Sequence, residues 1–243
     1  MLTIHSILFA SHIILGSLAL LLFWVPIVAG KGGLNHIKFG RYYAHTMYAV
    51  ALSGALMALL VLYDPLAIKG HLIGENTDQP AFVNTIRIFW GFLLYLSLLT
   101  YVSVKQGFAV LKHKNSTAPL RTISHLGPII LLALGGIIIL TLGITHGRVL
   151  HIVFGILGIM IGTGMLRYCF AQQLKPKQWL IEHLGGMIGS GIGAYTAFIA
   201  FGGRKLFADL GSMQIIFWVA PGVIGSIAIY LLSKKYQPKN LNS

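Results

Sequence analysis

Long apolar runs interrupted by short polar punctuation dominate this chain, and the runs are of one characteristic length. Seven stretches, at about residues 4 to 29, 41 to 63, 83 to 105, 121 to 144, 148 to 170, 181 to 202 and 212 to 233, each reach the ~20 residues that a helix needs to cross ~30 Å of hydrocarbon. Between them lie Lys31-Gly32-Gly33, Asp64-Pro65, Lys112-His113-Lys114-Asn115, Lys175-Pro176-Lys177 and Gly202-Gly203-Arg204-Lys205. Runs such as Leu15 to Leu22 and Ile129 to Leu142 lack the alternation of a barrel strand. The expected fold is therefore all-α, a polytopic bundle of seven transmembrane helices forming a single domain over residues 1–243.

Composition agrees, with 56% hydrophobic and 9% charged residues and a mean hydropathy of +0.80. The net charge of +13 adds orientation. Lys31, Lys38, Arg41, Lys105, Lys112, Lys114, Arg121, Lys175, Lys177, Lys234, Lys235 and Lys239 fall in the loops after the first, third and fifth segments and in the tail. The opposite loops hold Lys69, Arg87, Arg148, Arg204 and Lys205 beside Asp64, Glu75, Asp78 and Asp209. The positive-inside rule then sets the N-terminus outside and the C-terminus in the cytoplasm. The basic charge reads as topology and contact with anionic lipid, and nucleic acid is not expected as a partner, since no soluble basic domain is present. The first apolar run lacks a basic n-region and exceeds a signal-peptide core, so it is expected to be retained. No lipidation signal stands out.

The single cysteine, Cys169, leaves histidine as the candidate soft ligand. Ten histidines lie in or between the apolar runs, where an ionisable side chain signals function by default. His12 and His151 each open a His-x-x-x-Gly start, and His45 and His183 follow them by 33 and 32 residues. The first two segments thus resemble the fifth and sixth, as in a parallel internal repeat. Two histidine layers would stand ~15 to 20 Å apart along the membrane normal. Gly16 and Gly155, one turn beyond His12 and His151, would let a flat group lie close, whereas Gly158 with Gly162, and Gly185, Gly189 and Gly193, read as helix-packing seams.

Three function classes fit this pattern. The leading expectation is a redox protein that binds haem b, with His12 and His151 as one axial pair, His45 and His183 as another, and Arg41, Arg121 and Arg148 neutralising propionates. Electrons would come from a quinone or a redox partner. An alternative is a metal-dependent enzyme acting on a lipid-like substrate, with Zn, Cu or Fe held by His5, His12, His146 and His151. A third is a transporter or sensor in which histidines relay protons or switch conformation. His125 is a further ligand or catalytic candidate, and Glu182 could orient a neighbouring imidazole by a hydrogen bond. His36, His71 and His113 are expected in solvated loops. Retinal is not expected, because no lysine lies between Gly211 and Ser233.

The residues His12, Lys31-Gly32-Gly33, His36, Gly40-Arg41, His45, Glu182-His183, Met187 and Tyr195-Thr196-Ala197-Phe198 carry a resemblance over most of the chain. It resembles an uncharacterised family of bacterial multi-pass membrane proteins, a domain of unknown function with a Lys-Gly-Gly, His, Gly-Arg loop after its first helix. That resemblance implies a location in the bacterial inner membrane and brings no reaction, cofactor or catalytic residue. The chain lacks the same-helix histidine pair found in many b-type cytochromes.

Overall fold

The structure, a computed structural model, describes residues 1–202 and 214–236. Arg204, Lys205, Asp209, Lys239 and the first two positions of the seventh expected segment lie outside the described residues. Among the described residues every regular element is helical: α1 (Leu2–Val28), α2 (Leu34–Tyr63), α3 (Pro65–Lys69), α4 (Gln79–Lys112), α5 (Ile123–Thr145), α6 (Val149–Cys169), α7 (Gln178–Ala197) and α8 (Gln214–Tyr236). Short 3-10 turns at Gly70–Leu72 and Ala118–Leu120 and a π-turn at Phe198–Gly202 complete the order. Five helices, α1, α2, α4, α5 and α6, are long and apolar enough to cross a membrane. In α7 five glycines with Glu182 and His183 dilute the apolar character.

Two compact units divide the chain, one of Met1–Tyr101 with Leu131–Ile161 and one of Val102–Ile130 with Gly162–Ser243. In the first, α1 leaves Ile4, Ile7, Phe9, Ile14, Leu21 and Trp24 exposed. An apolar surface this continuous is costly in water and at home in lipid.

The turn from α1 to α2 explains the Lys-Gly-Gly and His residues of the sequence motif. The Lys31 ammonium donates to the carbonyls of Pro26 and Ile27, and His36 Nδ1–H donates to Pro26 O at 2.9 Å, so both side chains satisfy carbonyls that the last turn of α1 leaves without partners. Gly32 takes a positive φ of 78° between them. His36 is thus a capping residue at the start of α2 and not a solvated loop residue, because α2 begins at Leu34, a full two turns before the expected boundary. Asp64 then closes α2 and caps α3 by accepting from Ala67 N at 2.9 Å, with Pro65 in the first helical turn.

Helix α4 is the wall of the first unit. At 100° per residue Trp90 and Phe92 point to nearly opposite sides, while Ser97, seven positions on, returns to the side of Trp90. Trp90 packs with Met57, Ala58 and Val61 of α2, and a Cβ at Gly54 would come within 2.8 Å of Ser97 Oγ. The other side of α4 carries Tyr95, whose hydroxyl donates to Leu132 O of α5 at 3.2 Å. That hydroxyl occupies the space where a side chain on Gly158 would start, and a Cβ on Gly136 would lie 2.9 Å from it. Gly143 against Ile152 N and Gly155 against Leu140 N, each at 2.7 Å from an added Cβ, bring α5 and α6 into backbone contact.

In the second unit Gly186 of α7 meets Ser103 O and Gly107 Cα of α4, at 2.6 and 3.0 Å from an added Cβ. The expected seam of Gly185, Gly189 and Gly193 is therefore corrected by one residue, since a Cβ at any of those three meets nothing within 4 Å.

Candidate functional site

A hydrogen-bond chain, buried at Gln106 and His125 and half-buried at Glu182, lies in the second unit. Gln106, 0% exposed on α4, accepts from His125 Nε2–H of α5 at 2.8 Å and donates through Nε2 toward Glu182 Oε2 of α7 at 3.5 Å. The polarity is fixed by inventory, since a carboxylate only accepts and so must face the amide nitrogen. Donation therefore runs from His125 through Gln106 to Glu182. One residue along α7, His183 Nδ1–H donates to Gly107 O at 2.8 Å, which leaves Nε2 as the basic nitrogen of the neutral ring. Beside the chain on α6 lie Cys169, fully buried, and Tyr168, 2% exposed, whose hydroxyl has no hydrogen-bond partner among the described residues. A titratable carboxyl, an imidazole and an amide that links them, inside an apolar bundle, form a unit able to hold and redistribute a proton.

Arg121 is spoken for. Its Nε donates to Cys169 O at 2.9 Å, another donor reaches Thr117 Oγ1 at 3.3 Å and Ala171 O at 3.4 Å, and the guanidinium lies over Phe170. The side chain clamps the end of α6 to the loop before α5, so the expectation that it holds a propionate gives way to a structural role. Arg41 is exposed on α2, and Arg148, half-buried, precedes the first turn of α6.

The five remaining candidate histidines fall in the first unit, each in its own surroundings. His5, buried, meets the edge of Trp90 at 5.5 Å, and its Nε2 has no partner. Nδ1 of His12 lies 2.9 Å from Ser53 Oγ, whose own proton goes to Val50 O at 3.0 Å, so the imidazole is the donor and Nε2 its basic nitrogen. His146, exposed just past the end of α5 rather than at the start of α6, turns its Nδ1 to Thr145 Oγ1 at 2.8 Å. His151, 3% exposed, stacks on Phe92 at 4.3 Å and 21°, with the Ile88 carbonyl nearby and neither ring nitrogen in a well-formed hydrogen bond. His45 is exposed on α2.

Because His5 meets Trp90 and His151 meets Phe92, these two histidines lie on opposite sides of α4. His12 lies with His5 on the side of Ser97, as its Cε1, 3.3 Å from a Cβ on Gly54, shows. A helix about 10 Å across separates His12 from His151, so the two do not fit the axial positions of one haem, and the four histidines do not surround one metal ion. Among the described residues no group of three or more His, Cys, Asp or Glu side chains is placed to hold a metal. The flat-group reading is corrected for Gly155, whose space Leu140 fills, while a Cβ on Gly16 meets nothing within 4 Å.

Sequence reasoning missed Gln106, Tyr168 and Ser53. Gln106 follows Lys105, which reads as the polar end of the third segment, yet α4 runs on to Lys112. An amide within reach of a helical continuation was the signal.

On the opposite loops, Lys69 at the end of α3 places its ammonium 5.0 Å from the Trp90 ring centre, and burial lowers its pKa from the usual 10.5. The unfolded chain then binds more protons just below pH 10.5, so stability rises with pH through that window. Lys69→Met is expected to flatten the rise seen in denaturation between neutral pH and pH 10.5. An unchanged slope contradicts this account of Lys69.

No protein-family model, curated protein or solved structure matches this chain.

Proposed function

We propose that the chain is a seven-helix protein of the bacterial inner membrane, N-terminus outside and C-terminus cytoplasmic, that uses buried histidine chemistry for proton-driven transport or sensing. The observation that carries this reading is the His125–Gln106–Glu182 chain in the interior of the second unit. Intramembrane ionisable groups are expensive, and a linked acid and base retain their cost only where proton exchange is useful. Acidification neutralises the carboxylate and charges the imidazole, so the buried cation loses its counter-charge and the packed state loses its advantage. The unit then opens.

Cys169 offers a reporter, as the one thiol of the chain, fully buried next to this site. Its reaction with a membrane-permeant maleimide, normalised to a free-thiol reference, is expected to accelerate about tenfold between about pH 8 and pH 5, the range in which histidine changes charge. Gln106→Leu and Glu182→Gln are expected to abolish the dependence. A normalised rate in the wild type that is flat with pH overturns the reading.

A second reading, electron transfer through haem b or another redox metal and fed by a quinone or a protein donor, is supported by one feature. His12 and His183 each engage Nδ1 in a hydrogen bond, an arrangement that elsewhere orients Nε2 toward a metal. Haem would supply one-electron chemistry, and the chain's own contribution would be that fixed tautomer. Detergent-purified protein expressed with added haem is expected to show a Soret band that His183→Ala or His12→Ala removes, and a colourless preparation ends this reading.

A further inference from the structure

Two basic loops of the second unit are locked together, and a cleft opens on the first of them. Lys114 places its ammonium 4.5 Å from the Trp179 ring centre, Thr117 Oγ1 donates to Ala171 O at 3.2 Å, and Arg121 clamps the carbonyls of Cys169 and Ala171. These contacts hold the segment after α4 against the segment between α6 and α7. A cavity of about 470 Å³ opens there, lined by Leu111, Lys112, His113, Lys114, Asn115, Ser116 and Pro119. Lys112 and Lys114 belong to its lining, and Lys175 and Lys177 are exposed on the segment that these contacts hold against it. Neither segment, 113–122 or 170–177, contains an acidic residue, and Glu182 in the following helix α7 faces Gln106.

We propose that this cleft is a binding site for the phosphate headgroup of an anionic membrane lipid, held by Lys112 and Lys114 from one loop and Lys175 and Lys177 from the other. The chemistry favours lysine, since the guanidinium that could have gripped a phosphate in a fork is occupied by carbonyls, while ammonium groups bind phosphate as point charges. Leu111 in the lining, and Trp179 under the Lys114 ammonium, supply apolar surface next to the cations, as suits the interfacial region where an acyl chain begins. Four exposed lysines on two loops held together, with basic helix ends beside them, suit a headgroup that carries one or two phosphates.

The test is native mass spectrometry of the full chain in detergent, titrated with phosphatidylglycerol or phosphatidylcholine of identical acyl chains. The wild type is expected to retain one phosphatidylglycerol at least tenfold more than phosphatidylcholine. K112Q/K114Q/K175Q/K177Q is expected to lose that preference, while K38Q/R41Q/K234Q/K235Q, with the same charge removed elsewhere, keeps it. Inorganic phosphate at millimolar concentration is expected not to displace the lipid, and displacement would reassign the site to a free anion. Equal retention of the two lipids by the wild type, or equal loss in both quadruple variants, overturns the proposal.

Discussion

Gly158→Val is expected to be the most damaging single substitution in the first unit. The Tyr95 hydroxyl occupies the position of the first side-chain atom, and this hydroxyl is itself tied to Leu132 O. The neighbours cannot give way cheaply, because Gly136 against Gly155 O and Gly155 against Leu140 N already hold α5 and α6 at backbone contact. Overpacking of a filled interior costs ~1 to 3 kcal/mol, and here the branched side chain must also push neighbouring helices apart, so the upper end or beyond is expected. The measurement is thermal denaturation in detergent, with Gly185→Val as the control, where an added Cβ meets nothing within 4 Å. A Gly158→Val protein as stable as the control contradicts the packing described for Tyr95.

Gln106→Leu is expected to have the largest effect in the second unit. The change removes the group that accepts from His125 and donates to Glu182, and it leaves both in an apolar interior. Leaving a buried hydrogen-bonding group without its partner costs ~1 to 3 kcal/mol, more when the group is charged, whereas replacing all members with apolar residues is often nearly neutral. The triple variant H125L/Q106L/E182L is therefore expected to recover most of the stability lost in Gln106→Leu, while losing the pH dependence of Cys169 labelling. A triple variant less stable than Gln106→Leu alone contradicts the account, since it would mean that the three side chains contribute independently.

The sequence pattern located the helices well and the contacts poorly, for physical reasons visible at particular residues. Apolar length marks a helix that must satisfy its backbone internally, so segments near α1, α5 and α6 were legible to within a few residues. Polar residues at a membrane boundary continue a helix as readily as they end it, which is why α2 and α4 extend beyond their apolar cores and why His36 and Gln106 were misplaced.

Histidine spacing encoded less than it suggested. His12 donates to Ser53 whereas His151 stacks on Phe92, and His45 is exposed whereas His183 is bonded to Gly107. Equal intervals along the chain set equal positions on helices, not equal neighbours. Which face of α4 each histidine meets depends on helix rotation, and a step of two residues between Trp90 and Phe92 is enough to separate them. Among the glycines, Gly158 was legible as a packing position, but the register on α7 fell one residue from the expected stripe because nothing local distinguishes Gly186 from Gly185.

The buried chain predicts a specific tautomer, and side-chain nitrogen-15 NMR of the histidine-labelled protein reads it directly. His125 is expected to carry its proton on Nε2 at neutral pH, held there by Gln106 Oε1, and Gln106→Leu is expected to release the ring to another tautomer or to exchange. An unprotonated Nε2 on His125 in the wild type, or the same spectrum with and without Gln106, would contradict the proton-holding site from which the proposed function follows.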